Sequence, residues 1–152
     1  MDYDIRIEQF PGKPLAVVRR QAPKPQLGPV IQQACGVVWN ALRAQNVKGA
    51  GRHVTIYHDS VYNLEIGVEL DAPFSGAGEV LPSSLPAGPV ATTIHLGPYQ
   101  RLGEAHEAIH RWCEANGREP IRPCWEIYGH WLDEWNNDPS KIRTDVYYLL
   151  KS

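Results

Sequence analysis

The sequence predicts an α+β domain in which a strand–helix–strand–strand unit occurs twice. Two stretches with helical periodicity are each followed by two strand-like runs. Both stretches begin at a Gly-Pro pair, Gly28-Pro29 and Gly97-Pro98. We therefore expect antiparallel sheets with two helices on one face and a central cleft between the duplicated units.

The first unit begins with two short strands, at residues 5–10 and 15–19, separated by the turn-forming pair Pro11-Gly12. A Pro-rich connection follows, and Pro29 suits the first turn of a helix that we expect to run to about Gln45. The apolar positions of this helix are three or four residues apart, which places them on one face: Ile31, Cys35, Val38 and Leu42. Residues 53–58 and 63–70 are the two strands that complete the unit.

The second unit repeats this order. Residues 90–96 are rich in β-branched side chains and predict a strand. The helix that follows has apolar residues at helical spacing and stops at Asn116-Gly117: Leu102, Ala105, Ile109 and Trp112. Residues 124–131 and 144–150 are the last two strands. Aligning Pro29 with Pro98 relates the two units by 69 residues.

These boundaries predict one domain over residues 1–152, with a first repeat at about 1–70 and a second at about 90–152. The stretch between them, residues 71–89, is rich in Pro, Gly and Ser and is expected to be a connection. A short strand at 79–81 and a mobile flap carrying an exposed Phe74 are further expectations for this stretch.

Composition narrows the classes of function. The 152 residues carry a formal net charge of −2, without the basic excess on which phosphate binding depends, so we expect no direct nucleic-acid partner. Acidic residues near the start and the lack of a long apolar run predict no signal, no membrane partner and a cytoplasmic location. The three cysteines contain no C-x-x-C pair, so we expect buried thiols and no cofactor.

Glu126 is the first candidate for a functional residue, because Glu is depleted in strands and this one lies inside the strand-like run CWEIYGHW. Alternation places it on one face with Cys124 and Tyr128, and places Trp125 and Ile127 on the other. If the helices cover the Trp125 face, Glu126 points to water. If Glu126 instead faces a concave aromatic surface, it becomes a poorly hydrated carboxylate that a cation could neutralise.

Three segments together, IHLGPYQRL, CWEIYGHW and NNDPSKIRTDVYYLL, resemble the gyrase-inhibitor-like small-molecule-binding family, also called the AraC-type effector-binding domain. The resemblance is strongest over residues 90–150, and the duplicated layout extends it to nearly the whole chain. Gln100 and Asp145 depart from the family pattern, which commonly has an acid at the first position and Glu at the second.

This resemblance implies a cleft that binds hydrophobic, often cationic, small molecules. Glu126 corresponds to the carboxylate of the family's pocket, and the aromatic wall positions correspond to Tyr99, Tyr128 and Tyr147. Tyr147 and Tyr148 point to opposite faces of their strand, so only one of them can line a given cleft. Trp39 and Tyr57, from the first repeat, are added as candidate ligand-binding residues.

The resemblance leaves several activities open. Some family members are fused to a helix-turn-helix DNA reader, for which the two repeats leave no residues here, so we expect a stand-alone binding module. Some are hydrolases that open a strained cyclopropane, in which case Glu126 would be a general base. A gyrase-inhibitor-like protein partner is a third possibility.

A zinc hydrolase is a more remote alternative, because residues 106–110 read HEAIH on a predicted helix. On the helical wheel, His106 and His110 lie on the flank of the apolar face and Glu107 lies further towards solvent. We therefore expect a solvated helix flank rather than a metal site.

Overall fold

The computed structural model of the chain describes residues 3–59 and 62–151. Its helices and strands follow in the order strand, helix, strand, strand, and then the same order again. The strands are β1 (Arg6–Gln21), β2 (His53–Tyr57), β3 (Asn63–Glu69), β4 (Leu81–Leu96), β5 (Pro120–Tyr128) and β6 (Arg143–Leu150), and the helices are α1 (Leu27–Ala44) and α2 (Leu102–Ala115). The predicted α+β class is confirmed.

The six strands form one closed antiparallel sheet in the order β1-β3-β2-β5-β6-β4, with β4 pairing back to β1. The expectation of separate sheets is therefore wrong. Two contacts join the halves of the chain: β2 pairs with β5, and β1 pairs with β4. Closure removes the unpaired strand edges that separate sheets would leave.

The central part of the barrel interior is formed mainly by apolar side chains. Alternate residues of the strands point inward and pack around the fully buried Trp125: Leu15, Val17, Val54, Ile56, Leu85, Val90 and Ile127. The opposite face of each strand points outward, where the helices cover part of it.

Each helix covers the outer face of two strands. α1 packs on β1 and β3 through Ala34, Val38 and Leu42, and α2 packs on β4 and β6 through Ala105 and Ile109. β2 and β5 lie between these two layers in the strand order. Their outer face is therefore left as the floor of a space between the helices. Neither helix in the described part of the chain is long and apolar enough to cross a membrane.

β1 is one continuous strand, although two strands and a turn were predicted at Pro11-Gly12. Gly12 adopts a positive φ of 84°, which bends the backbone as a turn glycine would. β1 nevertheless pairs with β4 on both sides of it, at Pro11 with Ala87 and at Lys13 with Leu85. Pairing with β4, about 75 residues away in the sequence, keeps β1 continuous. Local turn signals carry no information about such a distant contact.

β4 begins at Leu81, so residues 81–89 of the predicted connection belong to a strand. This part of β4 pairs with β1 alone, and β6 joins only from Val90 onward. A strand partnered on one side tolerates prolines, which explains how a Pro-rich stretch can be extended sheet. Phe74 is 7% exposed and packs under α1, so its predicted exposure is also wrong.

Two further boundaries differ from those predicted. β5 spans Pro120–Tyr128 rather than 124–131, because its first residues pair with the end of β6 and the chain leaves the sheet after Tyr128. Pro29 lies inside the first turn of α1, whereas Pro98 precedes α2 and the short 3₁₀ turn before it. The two prolines are therefore not at equivalent positions.

Gly67 in β3 provides a test of the closed barrel. A Cβ added there would overlap the backbone carbonyl of Ala16 on β1, whereas one added at Gly36 on α1 would meet nothing within 4 Å. We expect Gly67→Ala to lower the free energy of unfolding by about 3 kcal/mol through overpacking. Gly36→Ala should raise it by about 0.5 to 1 kcal/mol by reducing the entropy of the unfolded chain. Urea unfolding measures both, and equal effects would contradict the close β1–β3 approach.

Candidate ligand-binding site

A cavity of about 1340 Å³ lies over the outer face of β2 and β5, with α1 and α2 as its two sides. Pockets for drug-sized molecules usually enclose about 300 to 1,000 Å³, so this space can hold a large organic ligand. Its floor is formed by side chains of β2 and β5, and its walls carry aromatic side chains from both helices and from the segments beside them.

Glu126 lies at the floor of the cavity and is 4% exposed. Its Oε1 accepts hydrogen bonds from the hydroxyls of Tyr57, at 3.0 Å, and Tyr128, at 2.6 Å. Its Oε2 lies 2.6 Å from Nε2 of His106, which donates to it from α2. The hydroxyl of Tyr128 also contacts that of Thr55 at 2.9 Å. Both carboxylate oxygens are thus engaged by donors from the protein.

Strand register brings these groups together. β2 and β5 pair with Thr55 opposite Glu126 and Tyr57 opposite Cys124. Residues directly opposite in an antiparallel pair share a face, so all four side chains lie on the outer face, where Tyr57, Cys124 and Glu126 line the cavity. Alternation along β5 sends Trp125 into the barrel interior instead.

The carboxylate of Glu126 is held in its charged form. Burial alone would raise the pKa of Glu126, but the hydrogen bond and the charge of His106, with the hydroxyls of Tyr128 and Tyr57, lower it below its usual value. The same burial and the nearby carboxylate raise the pKa of Tyr57 and Tyr128, so both phenols stay protonated and remain donors. The cavity therefore contains a buried anion at neutral pH.

His106 extends this network to β6. Its Nδ1 lies 2.7 Å from the hydroxyl of Tyr148, on the opposite side of the ring from Glu126. The His106 ring also packs edge-on against Tyr57 and Tyr148, and its side chain is 20% exposed. The predicted solvated flank is therefore wrong for His106, because α2 lies over the carboxylate and turns this flank towards it.

Glu107 behaves as predicted, with a side chain that is 66% exposed and lies 3.9 Å from Arg111 on the same helix. Within residues 3–59 and 62–151, no group of three or more His, Cys, Asp or Glu side chains is arranged to hold a metal ion. In the described structure, Nε2 of His106 is directed to Glu126.

Aromatic side chains form much of the wall. Tyr99 lies edge-on to Tyr128, with ring centroids 5.8 Å apart. Trp39 of α1 donates its indole N–H to Nε2 of His53 at 2.5 Å. Trp131, which is 51% exposed, lies at the cavity after the end of β5. The faces of these rings are the surfaces on which flat apolar or cationic groups bind.

The structure brings five of the six predicted ligand-binding residues to one cavity: Trp39, Tyr57, Tyr99, Glu126 and Tyr128. Tyr147 is elsewhere. It points into the barrel and stacks on Trp125, with ring centroids 5.6 Å apart. Tyr148 takes the place in the cavity, as the alternation of the strand allows.

Tyr148 and His106 belong to the hydrogen-bond network at the cavity floor but were not among the predicted ligand-binding residues. Tyr148 was left out of the prediction because only one of the neighbouring residues Tyr147 and Tyr148 can face the cleft, and Tyr147 was chosen. His106 was noticed within HEAIH, yet its partner is on β5, which is 20 residues away in the sequence. Its spacing from Leu102, one helical turn, was the available signal that it borders the packed face.

The three cysteines are free and buried, as predicted. Cys35 and Cys124 form part of the cavity wall. Burial raises the pKa of Cys35 to about 11 and raises that of Cys124 as well. Both are therefore protonated at neutral pH and act as small apolar wall groups.

A family profile described as the GyrI-like small molecule binding domain matches residues 3–151. The chain belongs to this family. No curated protein sequence matches the chain.

Several solved structures share the fold of this GyrI-like chain. The C-terminal domain of EcmrR has a TM-score of 0.78 and 22% identity, with 100% of this chain and 99% of that chain covered. EcmrR in its DNA and RPo complex has a TM-score of 0.82 and 20% identity over 99% of this chain. This chain spans only 58% of that longer protein. SAV2435 bound to tetraphenylphosphonium has a TM-score of 0.68 and 10% identity, with 100% and 95% covered.

The charge state of Glu126 makes stability depend on pH. A carboxylate with a lowered pKa stabilises the folded state above its usual pKa of 4.5, and this contribution is lost as the pH falls through the lowered value. We expect the wild type to exceed Glu126→Gln by about 1 to 2 kcal/mol in free energy of unfolding at pH 7, with the gap narrowing below pH 4.5. Urea unfolding of both proteins between pH 3 and 7 measures this difference in the free energy of unfolding.

Glu107→Gln is the matched control, because it removes an exposed carboxylate from α2. It should change the free energy of unfolding by less than about 0.5 kcal/mol at every pH. A gap between wild type and Glu126→Gln that widens in acid would contradict the assignment of Glu126 as a stabilised anion.

Proposed function

We propose that the chain is a binding module for hydrophobic small molecules that are cationic or aromatic, with Glu126 and the surrounding tyrosines as its site. The observation that carries this proposal is the buried, ionised carboxylate of Glu126 at the floor of a cavity of about 1340 Å³. The family's description as a small-molecule-binding domain supports the coarser part of this proposal, that the ligand is a small molecule.

The chemistry of the site suits a delocalised cation. Tyr57 and Tyr128 already occupy Oε1 of Glu126, and His106 occupies Oε2. A ligand that needs a direct hydrogen bond to the carboxylate would have to displace one of these donors. A bulky cation without donors can instead lie against the tyrosine faces and interact with Glu126 through space, where low polarity strengthens the attraction.

The size of the cavity supports binding of more than one kind of ligand. Apolar area buried in the cavity would supply most of the affinity, and the carboxylate would select the sign of the charge. SAV2435, which shares this fold, is seen with tetraphenylphosphonium, a hydrophobic cation of the proposed class. We therefore include multidrug binding and sequestration in the proposal.

We also propose that the two strand–helix–strand–strand units arose by duplication within one domain. The matching order of elements supports this, as do the 3₁₀ turns before α1 and α2. Those turns follow Pro23 and Pro98, whose φ angles are −67° and −59°. Their spacing of 75 residues replaces the offset of 69 that pairs Pro29 with Pro98. The ligand cleft would then lie where β2 of one unit pairs with β5 of the other.

The hydrolase alternative is less well supported by the same contacts. A general base must accept a proton from water, and its efficiency rises with its pKa. Glu126 has a lowered pKa, and donors from the protein occupy both of its oxygens. These features favour a fixed charge over a proton acceptor. Turnover of a strained electrophile that stops in Glu126→Gln would overturn this preference.

The binding proposal is tested by titrating the wild type and Glu126→Gln with tetraphenylphosphonium while tryptophan fluorescence is followed. The Gln side chain keeps the shape of Glu126 and removes its charge. We expect the variant to bind the cation about 1 to 3 kcal/mol more weakly, which is about 5- to 150-fold in Kd. A neutral ligand of similar shape should bind both proteins equally.

The identity of the tryptophans whose fluorescence is quenched provides the control. Trp39 and Trp131 line the cavity, whereas Trp112 and Trp125 do not. Trp39→Phe and Trp131→Phe should reduce the quenching, and Trp112→Phe should leave it intact. Equal affinity in wild type and Glu126→Gln would remove the carboxylate from the site. No saturable binding of cationic, neutral or anionic compounds would favour the protein-partner alternative over the binding module.

A further inference from the structure

His106 is placed so that it can gain or lose a proton without losing a hydrogen bond. When the imidazole is neutral, Nε2–H donates to Glu126 and Nδ1 accepts from the hydroxyl of Tyr148. When it is protonated, Nδ1–H donates to the same hydroxyl, which can accept as readily as it donates. Only the O–H bond of Tyr148 has to rotate between the two states.

The two states differ in the charge that the cavity presents. With neutral His106, the Glu126–His106 pair carries one negative charge at the floor of the cavity. With protonated His106, the pair is neutral, and an incoming cation meets no net attraction there. Because the pair lies in a largely desolvated site, a difference of one charge weighs more than it would in water.

The groups around His106 leave Glu126 as its main ionic partner. β2 presents Tyr57, β5 presents Glu126 and β6 presents Tyr148 to the ring. On α2 itself, His110 lies one turn further along and is close enough to interact electrostatically with His106. Burial, followed by His106 and Arg122, lowers the pKa of His110, which favours its neutral form.

Two more groups in the network are neutral. Tyr128, which shares Glu126 with His106, is a protonated phenol, and so is Tyr148. Arg122 lines the same cavity and acts on both His110 and Tyr148. Of the three side chains that donate hydrogen bonds to the carboxylate, His106 is the imidazole and the other two are phenols.

We propose that His106 determines the charge specificity of the cavity, because a bound hydrophobic cation takes over the neutralisation of Glu126 and expels the proton from His106. This inference rests on the proposed function and adds a regulation to it. Cation binding is then linked to proton release, and the cavity binds cations more tightly as the pH rises. At lower pH the same cavity favours neutral or anionic aromatic molecules.

The coupling between cation binding and proton release sets how steeply the affinity for the cation depends on pH. Release of one proton per bound cation makes the affinity rise by at most about tenfold per pH unit, within the pH range over which His106 is protonated in the free protein. Between pH 5.5 and 8, Glu126, with its lowered pKa, stays ionised. The dependence on pH therefore reports on His106 rather than on the carboxylate.

The experiment measures the Kd of tetraphenylphosphonium and of tetraphenylborate, an anion of the same shape, between pH 5.5 and 8. For the wild type we expect the affinity for the cation to rise with pH and that for the anion not to rise. His106→Gln keeps an N–H donor for Glu126 and cannot become charged, so its affinity for the cation should vary less with pH than that of the wild type and should exceed it at pH 5.5.

His110→Gln is the matched control, because His110 packs on the Tyr148 ring one turn away on the same helix. It should keep the pH dependence. A purely structural role of His106 would instead weaken binding equally at every pH in His106→Gln. Cation binding by the wild type that is independent of pH, or an equal rise for both ions, would overturn the inference alone. Absence of saturable cation binding by the wild type at every pH would overturn the proposed function as well.

Discussion

The antiparallel pairing of β2 with β5 is the contact on which the site depends. It joins the two halves of the chain into a barrel, and its register places Thr55 and Tyr57 beside Glu126. Because α1 covers only the strands on one side and α2 only those on the other, the outer face of this pair is left open as the cavity floor. A shift of one residue in the register would send Glu126 into the apolar barrel interior.

A buried carboxylate is tolerated only where donors replace its hydration. Here the donors come from three separate elements: Tyr57 on β2, Tyr128 on β5 and His106 on α2. The position of the helix and the pairing of the strands are therefore both required for the charged state. This requirement links the stability of the fold to the electrostatic character of the cavity, since the same groups serve both.

Local patterns were sufficient for the helices. The helix predicted from Pro29 to about Gln45 is observed as Leu27–Ala44. Of its predicted apolar face, Cys35, Val38 and Leu42 are buried, whereas Ile31 is only partly buried and Ala34 is buried in addition. Patterns were insufficient for β1 and β4, where Pro11-Gly12 and a Pro-rich stretch suggest a turn and a linker. Both segments are held extended by pairing with each other across the chain. Such pairing is not encoded in any short window of sequence.

The sequence by itself determined the α+β class, the packed faces of the helices and the shared face of Cys124, Glu126 and Tyr128 on one strand. Only the tertiary structure decided which face the helices cover, because alternation defines two faces without saying what lies against each. On β5, Trp125 points into the closed barrel, and Glu126 lies on the outer face, which forms the floor of the cavity between the helices. The role of His106 and the choice of Tyr148 over Tyr147 were decided in the same way, since each depends on contacts between segments that are distant in the chain.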